Sequence, residues 1–223
     1  MAWFTSEYES FFAELEQNNN REWFTENKKR YEKHVKDPFN AFVADLILRM
    51  NEIDPACKIQ PKDAVFRIYR DIRFSKDKTP YKTRMSAIIG RGGRKDMSSA
   101  EGLYIEVGNK HLRVYGGVYQ PDKNQLQSLR QEILYNQSDF SKLVSDKKFV
   151  KVFGQIQGEK NKRLPAEFAE IQDTQPLIAN KQFYYYANLD ASLITSDKLV
   201  NEIYKAYEVS RPVRSFLMAP LLD

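Results

Sequence analysis

Apolar residues recur at helical spacing through the first fifty positions. The widest apolar stripe comprises Phe39, Phe42, Val43, Leu46, Ile47 and Met50. Ahead of this stripe, Ser6 and Glu9 have the spacing of a capping box, and Asn20 offers an N-cap for a second helix. Asp37-Pro38 is typical of a helix start. The pattern therefore predicts helices over residues 5–52.

The apolar period changes from 3.6 residues to two at position 64, which is typical of strands. A first strand is predicted over 66–74, with Phe66, Ile68, Ile72 and Phe74 facing the core and Arg70 as the exception. A hairpin is predicted around Gly108-Asn109. Its outward residues are Tyr104, Glu106, His111, Arg113 and Tyr115. The interval 64–119 is therefore expected to form an antiparallel sheet with one buried face.

The second half of the chain returns to helices. The predicted elements are helices over 122–153, a strand over 183–189, and a C-terminal helix over 196–210 followed by an apolar tail. No linker rich in proline, glycine or serine separates the chain into parts. The sequence predicts a single α+β domain over 1–223, with N-terminal helices and a central, largely antiparallel sheet whose one face is covered by helices.

Composition excludes several protein classes. Apolar types make up 42% of the 223 residues and charged types 29%, as in ordinary globular proteins. The single cysteine, Cys57, and the two distant histidines, His34 and His111, do not fit a disulfide framework or a zinc spacing. The sequence shows neither a signal-peptide pattern nor a long apolar run. We therefore expect a cytoplasmic protein with no membrane association, no metal site and no evident cofactor.

The positive charge is concentrated in one segment. The formal net charge is +5, but residues 66–95 hold ten basic and two acidic residues. The remainder of the chain holds 25 basic and 28 acidic residues, so the whole excess lies in this segment. A local excess of this size attracts anions.

The same segment carries a family resemblance. The stretch Arg67-Ile68-Tyr69-Arg70-Asp71-Ile72-Arg73-Phe74-Ser75-Lys76-Asp77-Lys78-Thr79-Pro80-Tyr81-Lys82-Thr83 resembles the signature of an uncharacterised family of conserved microbial proteins, domain of unknown function 2461. Further matching stretches are Asn19–Phe24, Gly116–Pro121 and Lys162–Pro165. Glu167 departs from the pattern, which leads us to expect glycine there. The resemblance implies one α+β unit and a cytoplasmic protein, and it implies no activity.

The chemistry of the segment suggests an anion site. Alternate residues of a strand lie about 6.6 Å apart on one face, so Arg67, Tyr69, Asp71 and Arg73 would form a ridge about 20 Å long. Arginine forks and mobile lysines both suit phosphate oxygens. The predicted ligand-binding residues are Arg67, Arg70, Arg73, Lys76, Lys78, Tyr81 and Lys82. Tyr69, Glu106, His111, Arg113 and Tyr115 are possible partners in an adjoining cleft.

The sequence leaves three functions open. The leading hypothesis is binding of a phosphate-bearing ligand, either a nucleic acid or a nucleotide-like molecule. The first alternative is a phosphoester hydrolase that uses Asp71 or Asp77 as a base or as a ligand of a divalent metal. The second is a module that docks an acidic protein partner. A structural ion network, with Asp77 only capping a turn, would explain the same residues without a ligand.

Overall fold

Helical segments occupy most of the chain before the sheet. The structure is a computed structural model, and it describes residues 2–95 and 102–221. The segments are α1 (Ser6–Gln17), α2 (Arg21–Glu26), α3 (Lys28–Tyr31), a π-helical turn (Glu32–Lys36), α4 (Asp37–Ile53) and α5 (Pro61–Ala64). Helical segments thus occupy most of the interval 5–52. Some predicted positions lie outside the described ranges. They are residues 96–101 of the sheet interval 64–119, the end of the C-terminal tail, and residue 1 of the predicted domain.

The helix starts differ in part from those predicted. The Asn20 side chain caps α2 by accepting a hydrogen bond from the Trp23 N–H. The Ser6 capping box is wrong, because Thr5 occupies the N-cap position and makes no side-chain cap. Helix α4 does begin at Asp37, but its N-cap position is Lys36. The Asp37 N–H reaches Glu32 O five residues back, so the π-helical turn runs directly into α4. Pro38 lies at this change of helical register, where its missing N–H is tolerated.

Four antiparallel strands form one sheet in the order β1-β2-β3-β4. Their bounds are β1 (Arg84–Ile89), β2 (Leu103–Gly108), β3 (His111–Val118) and β4 (Phe183–Asn188). Ile105 lies opposite Val114 and Glu106 lies opposite Arg113, so the apolar and polar rows stay on separate faces. The predicted hairpin, the predicted directions of its side chains and the strand near 183–189 are confirmed.

The predicted strand over 66–74 is not a regular strand. Val65 bridges to Ala87 in β1 and Tyr69 bridges to Tyr81, and between these bridges the backbone is irregular. Ile68 is buried, whereas Phe74 is 95% exposed although the alternating pattern predicts it to face the core. The segment extends beyond the edge of the sheet, where Phe74 has no core to enter.

Helices cover one face of the sheet. The later helices are α6 (Lys123–Tyr135), α7 (Gln137–Val144), α8 (Lys147–Phe153), α9 (Ala166–Ala169), α10 (Leu199–Val209) and α11 (Arg211–Met218). One apolar cluster joins the N-terminal helices and α10 to β1, β2 and β3, and a second joins α6, α7, α8 and α11 to β4. The α+β fold is thus as predicted. Among the described residues, the structure contains no helix with the length and apolar character needed to cross a bilayer.

Candidate functional site

The predicted ligand-binding cations do not converge on one pocket. Arg67 lies in a groove formed by the N-terminal helices and residues 60–69. Arg70 and Lys82 line a cleft over the open face of the sheet. We call residues 66–82, which extend beyond the edge of the sheet, the excursion, and residues 71–78 form its tip. The other three cations, Arg73, Lys76 and Lys78, are exposed at this tip. The backbone path divides the basic segment among three surfaces.

Ion pairs and hydrogen bonds within the excursion engage three of its cations. Arg70 contacts the Asp77 carboxylate and the Thr79 hydroxyl. The Arg73 guanidinium donates to both carboxylate oxygens of Asp71, with Nη2–Oδ2 at 2.6 Å. Lys78 Nζ donates to a backbone carbonyl at 2.9 Å. Arg70, predicted as the exception in its row, is therefore held by a local network.

The two candidate catalytic carboxylates serve as local acceptors. The hydrogen bond from the Arg73 side chain lowers the pKa of Asp71 to about 2. The backbone N–H of Thr79, followed by the Arg70 side chain, lowers the pKa of Asp77 to about 2. A general base works best with a pKa near the pH of the reaction. Both groups have the features of structural anchors, and Asp77 caps the turn that contains Thr79.

Tyr81 belongs to the core. Its ring is 5% exposed and stacks on Phe24 with the centroids 4.0 Å apart. The Asn19 amide bonds to both the N–H and the carbonyl of Tyr81. This residue therefore anchors the base of the excursion to α2.

The groove beside Arg67 is strongly basic. It encloses about 790 Å³ between the π-helical turn, α5 and residues 65–69. Its charged lining residues are Lys28, Lys36, Lys62, Arg67, Arg94 and one acid, Glu32. We call this cavity the basic groove. The described side chains that line it carry a net charge of +4.

The cations of the basic groove are available to a ligand. Within the described ranges, the side chains of Lys28, Lys36, Lys62 and Arg67 make no hydrogen bond or ion pair. Arg94 donates only to backbone carbonyls of Lys62 and Asp63. Lys28 and Lys36 lie at the two ends of the continuous helical segment formed by α3 and the π-helical turn. They are eight residues apart, which is about 12 Å along the helix axis. Positive charge therefore extends along the groove.

Aromatic side chains lie beneath and beside these cations. Phe24 and Tyr31 form a buried floor together with Ile68 and Met85. Tyr69 is half-exposed and packs against Phe24 and Tyr81 at centroid distances of 6.1 and 5.3 Å. Part of the Tyr69 ring thus stays accessible from the groove.

A buried carboxylate occupies the open face of the sheet. Glu106 is 5% exposed and accepts hydrogen bonds from Tyr104 at 3.2 Å and Tyr115 at 3.1 Å. Arg84 Nε and His111 Nε2 each lie 3.0 Å from its oxygens. The predicted cleft partners on β2 and β3 are thus brought together around one acid.

The donors around Glu106 outweigh its burial. Burial raises the pKa of this carboxyl. The His111 hydrogen bond and the Arg84 charge lower the pKa by more than burial raises it, to a net value of about 2. Burial also raises the pKa of Tyr104 to about 12, and it raises that of Tyr115. The floor of the cleft therefore holds an ionised carboxylate with neutral phenols at neutral pH.

Arg113 completes the polar row of β3. Its Nε donates to Asn188 Oδ1 at 2.7 Å, and its Nη1 donates to the Tyr115 hydroxyl at 3.1 Å. The guanidinium carbon lies 4.7 Å from the centroid of the Tyr186 ring. Arg113 thus orients the tyrosine that bonds Glu106.

Two cavities meet above Glu106. The first, which we call the aromatic pocket, encloses about 420 Å³. Its aromatic rings are Phe66, Tyr104, Tyr115, Tyr119 and Tyr184. The second, the polar pocket, encloses about 520 Å³ and is lined by Arg70, Asp77 and Arg84 among others. Lys82, Tyr104 and Glu106 line both, so Lys82 stands between an aromatic half and a polar half.

Sequence reasoning missed the helical side of the basic groove. Lys28 and Lys36 belong to helices that the sequence analysis leaves without a function, and Lys62 lies just before the basic segment. An available signal was the predominance of lysine over acid in 28–36, where Glu32 is the one acid among five Lys and Arg residues. Helical periodicity alone does not show that this segment faces Arg67.

The comparison with protein families identifies the chain. Among the described residues, no three histidine, cysteine, aspartate or glutamate side chains lie close enough together to hold a metal ion. No curated protein matches the sequence. A family profile described as conserved hypothetical protein (DUF2461) matches residues 7–216. This match spans nearly the whole chain, and the protein therefore belongs to the DUF2461 family.

Proposed function

We propose that the protein binds a phosphate-bearing polyanion in the basic groove, and that this ligand is single-stranded nucleic acid. The supporting observation is the lining of the groove, where five basic side chains and one acid surround an open cavity of about 790 Å³. Charge of this density exceeds what one phosphate neutralises. The positive charge also extends along the helical segment from Lys28 to Lys36, which favours a ligand with several linked phosphates.

The accessible aromatic ring favours nucleic acid among such ligands. Proteins that bind single strands combine a basic groove along the phosphates with aromatic side chains on which bases stack. Tyr69 is half-exposed beside Arg67 and supplies such a surface. Because the groove is concave and its aromatic ring suits an unpaired base, a single strand suits it better than a duplex.

Salt dependence tests the electrostatic part of the proposal. Each phosphate contact contributes about −0.7 to the slope of log K against log salt for single strands, so four contacts give about −3. The double variant Lys28→Gln/Lys36→Gln should reduce the magnitude of the slope by about 1.4. The matched control is Lys148→Gln/Lys151→Gln on α8, where both lysines are exposed and lie outside the groove. Fluorescence anisotropy with a labelled twelve-nucleotide oligothymidylate measures the slopes.

A pair of substitutions at Tyr69 tests stacking. Tyr69→Ala should weaken oligonucleotide binding about five- to 150-fold, whereas Tyr69→Phe should leave it unchanged. Binding of inorganic polyphosphate should not respond to either variant. Equal slopes for the Lys28/Lys36 variant, its control and the wild type would refute the proposal.

The remaining alternatives are addressed by variants of the tip. Phe74, Arg73, Lys76 and Lys78 are exposed there and would suit an acidic protein partner. Lys76→Glu/Lys78→Glu should leave oligonucleotide binding in the groove unchanged beyond a small general charge effect. Loss of oligonucleotide binding in this variant would mean that the ligand binds at the tip and not in the groove.

The hydrolase hypothesis stays a prediction without an observation in its favour, since Asp71 and Asp77 are engaged by neighbouring donors.

A further inference from the structure

The aromatic pocket has the character of a small-molecule site. Its volume of about 420 Å³ lies in the range typical of ligand pockets, which combine apolar walls with a few placed polar groups. Phe66 and Tyr104 meet edge to face at 5.8 Å, and Tyr119 and Tyr184 do so at 5.2 Å. Rings from the excursion, from β2 to β4 and from the residue after β3 thus enclose it.

A glycine pair in β3 forms part of the pocket wall. Gly116 and Gly117 line it where other positions of the strand carry side chains. Gly117 has a φ of 89°, and a Cβ at this position would lie 2.2 Å from Phe183 O. Bare backbone therefore forms this part of the pocket wall.

Among the described residues that line the pocket, one cation is left without an ion pair. Glu106 on the floor is compensated by Arg84 at 3.0 Å and is saturated by four hydrogen-bonding neighbours. Lys82 Nζ lies on the wall, 5.3 Å from the centroid of Phe66, and makes no hydrogen bond or ion pair within the described part of the chain. An ammonium group held beside an aromatic surface is suited to an anion that reaches it from within the pocket.

We propose that the aromatic pocket binds a planar aromatic ligand with a single negative charge, and that Lys82 is the residue that recognises this charge. This inference goes beyond the proposed function, because it concerns a different cavity and a different ligand chemistry. The rings supply flat contact surfaces, and a carboxylate on the ligand pairs with Nζ. Burial, followed by the charges of Arg84 and Arg67, lowers the pKa of Lys82, and a bound anion would offset this effect.

Three small probes separate the two parts of the recognition. Naphthalene-2-carboxylate has both the ring and the charge, naphthalene-2-carboxamide has only the ring, and cyclohexanecarboxylate has only the charge. Isothermal titration should show the naphthoate binding most tightly. Lys82→Met should weaken its binding about 10- to 150-fold and leave the carboxamide unaffected. Lys78→Met, which removes an exposed lysine of the tip, is the matched control.

A footprint on the unmodified protein makes the test independent of the variant's folding. Naphthoate should protect Lys82 from acetylation by acetic anhydride and leave Lys78 unprotected, as read by mass spectrometry. It should not displace an oligonucleotide, so its failure to bind leaves the proposal for the basic groove untouched. Equal protection of both lysines, unchanged binding in Lys82→Met, or equal affinity for cyclohexanecarboxylate would each overturn the inference.

Discussion

The carboxylate of Glu106 should stabilise the fold strongly at neutral pH. It is buried, and its four neighbours all favour the ionised form. Its pKa is lowered from 4.5 to about 2. A shift of this size corresponds to about 3 kcal/mol of stability at pH 7. Because the pKa of the folded state is the lower one, this stability is complete above pH 4.5 and is lost as the pH falls towards 2.

Replacement of Glu106 by glutamine isolates this contribution. The amide keeps the shape of the side chain but removes the charge and turns an NH₂ group towards donors. We expect Glu106→Gln to lower the free energy of unfolding by about 3 kcal/mol at pH 7 and by only about 1.4 kcal/mol at pH 3. Urea denaturation followed by circular dichroism at the two pH values measures both differences.

The pH dependence decides between charge and shape. Glu159→Gln is the control, since Glu159 is exposed and pairs with Lys181 on the surface, where an ion pair contributes little. It should leave stability unchanged at both pH values. A Glu106→Gln variant that loses the same free energy at pH 3 as at pH 7 would refute the electrostatic account. A variant as stable as the wild type at pH 7 would do so as well.

Three further substitutions test packing and exposure. Gly117→Ala should destabilise the protein by about 1–3 kcal/mol, because the new Cβ approaches Phe183 O at a positive φ, and a lower melting temperature would show it. Arg130→Met should cost about 2–4 kcal/mol in urea denaturation, since the 95% buried guanidinium donates to two backbone carbonyls that would lose their partners. Phe74→Ser should change stability by less than about 0.5 kcal/mol, and a larger loss would mean that this 95% exposed ring packs against the domain.

Local sequence patterns determined much of the fold. The period-two alternation in β2 and β3 fixed which side chains face the helices, because neighbouring residues of a strand point to opposite faces. Helix α6 begins with a capping box formed by Asp122 and Gln125, and α8 ends at Gly154, whose φ is 72°. Each of these signals acts within a few residues, so a single sequence is enough to show it.

The same alternation was misleading over 66–74. A strand pattern predicts a buried row only where a partner strand and a helical layer are present. After Phe66, whose N–H still bonds Ser86 O, the chain leaves the edge of β1. Ile68 is the one residue of the predicted row that the core buries. Phe74 follows the pattern in sequence but lies beyond the sheet. Tertiary contacts therefore decided the outcome against the local pattern.

The candidate sites show the same division. The sequence by itself determined that positive charge is concentrated in 66–95 and that Glu106, His111 and Tyr115 share the open face of the hairpin. Only the tertiary structure decided that Arg67 faces Lys28 and Lys36 across a groove, while Arg70 and Arg73 are neutralised by nearby aspartates. The physical reason is that charge counts along a chain carry no distances. Whether a cation is available to a ligand depends on which acid the folded backbone brings within hydrogen-bonding reach.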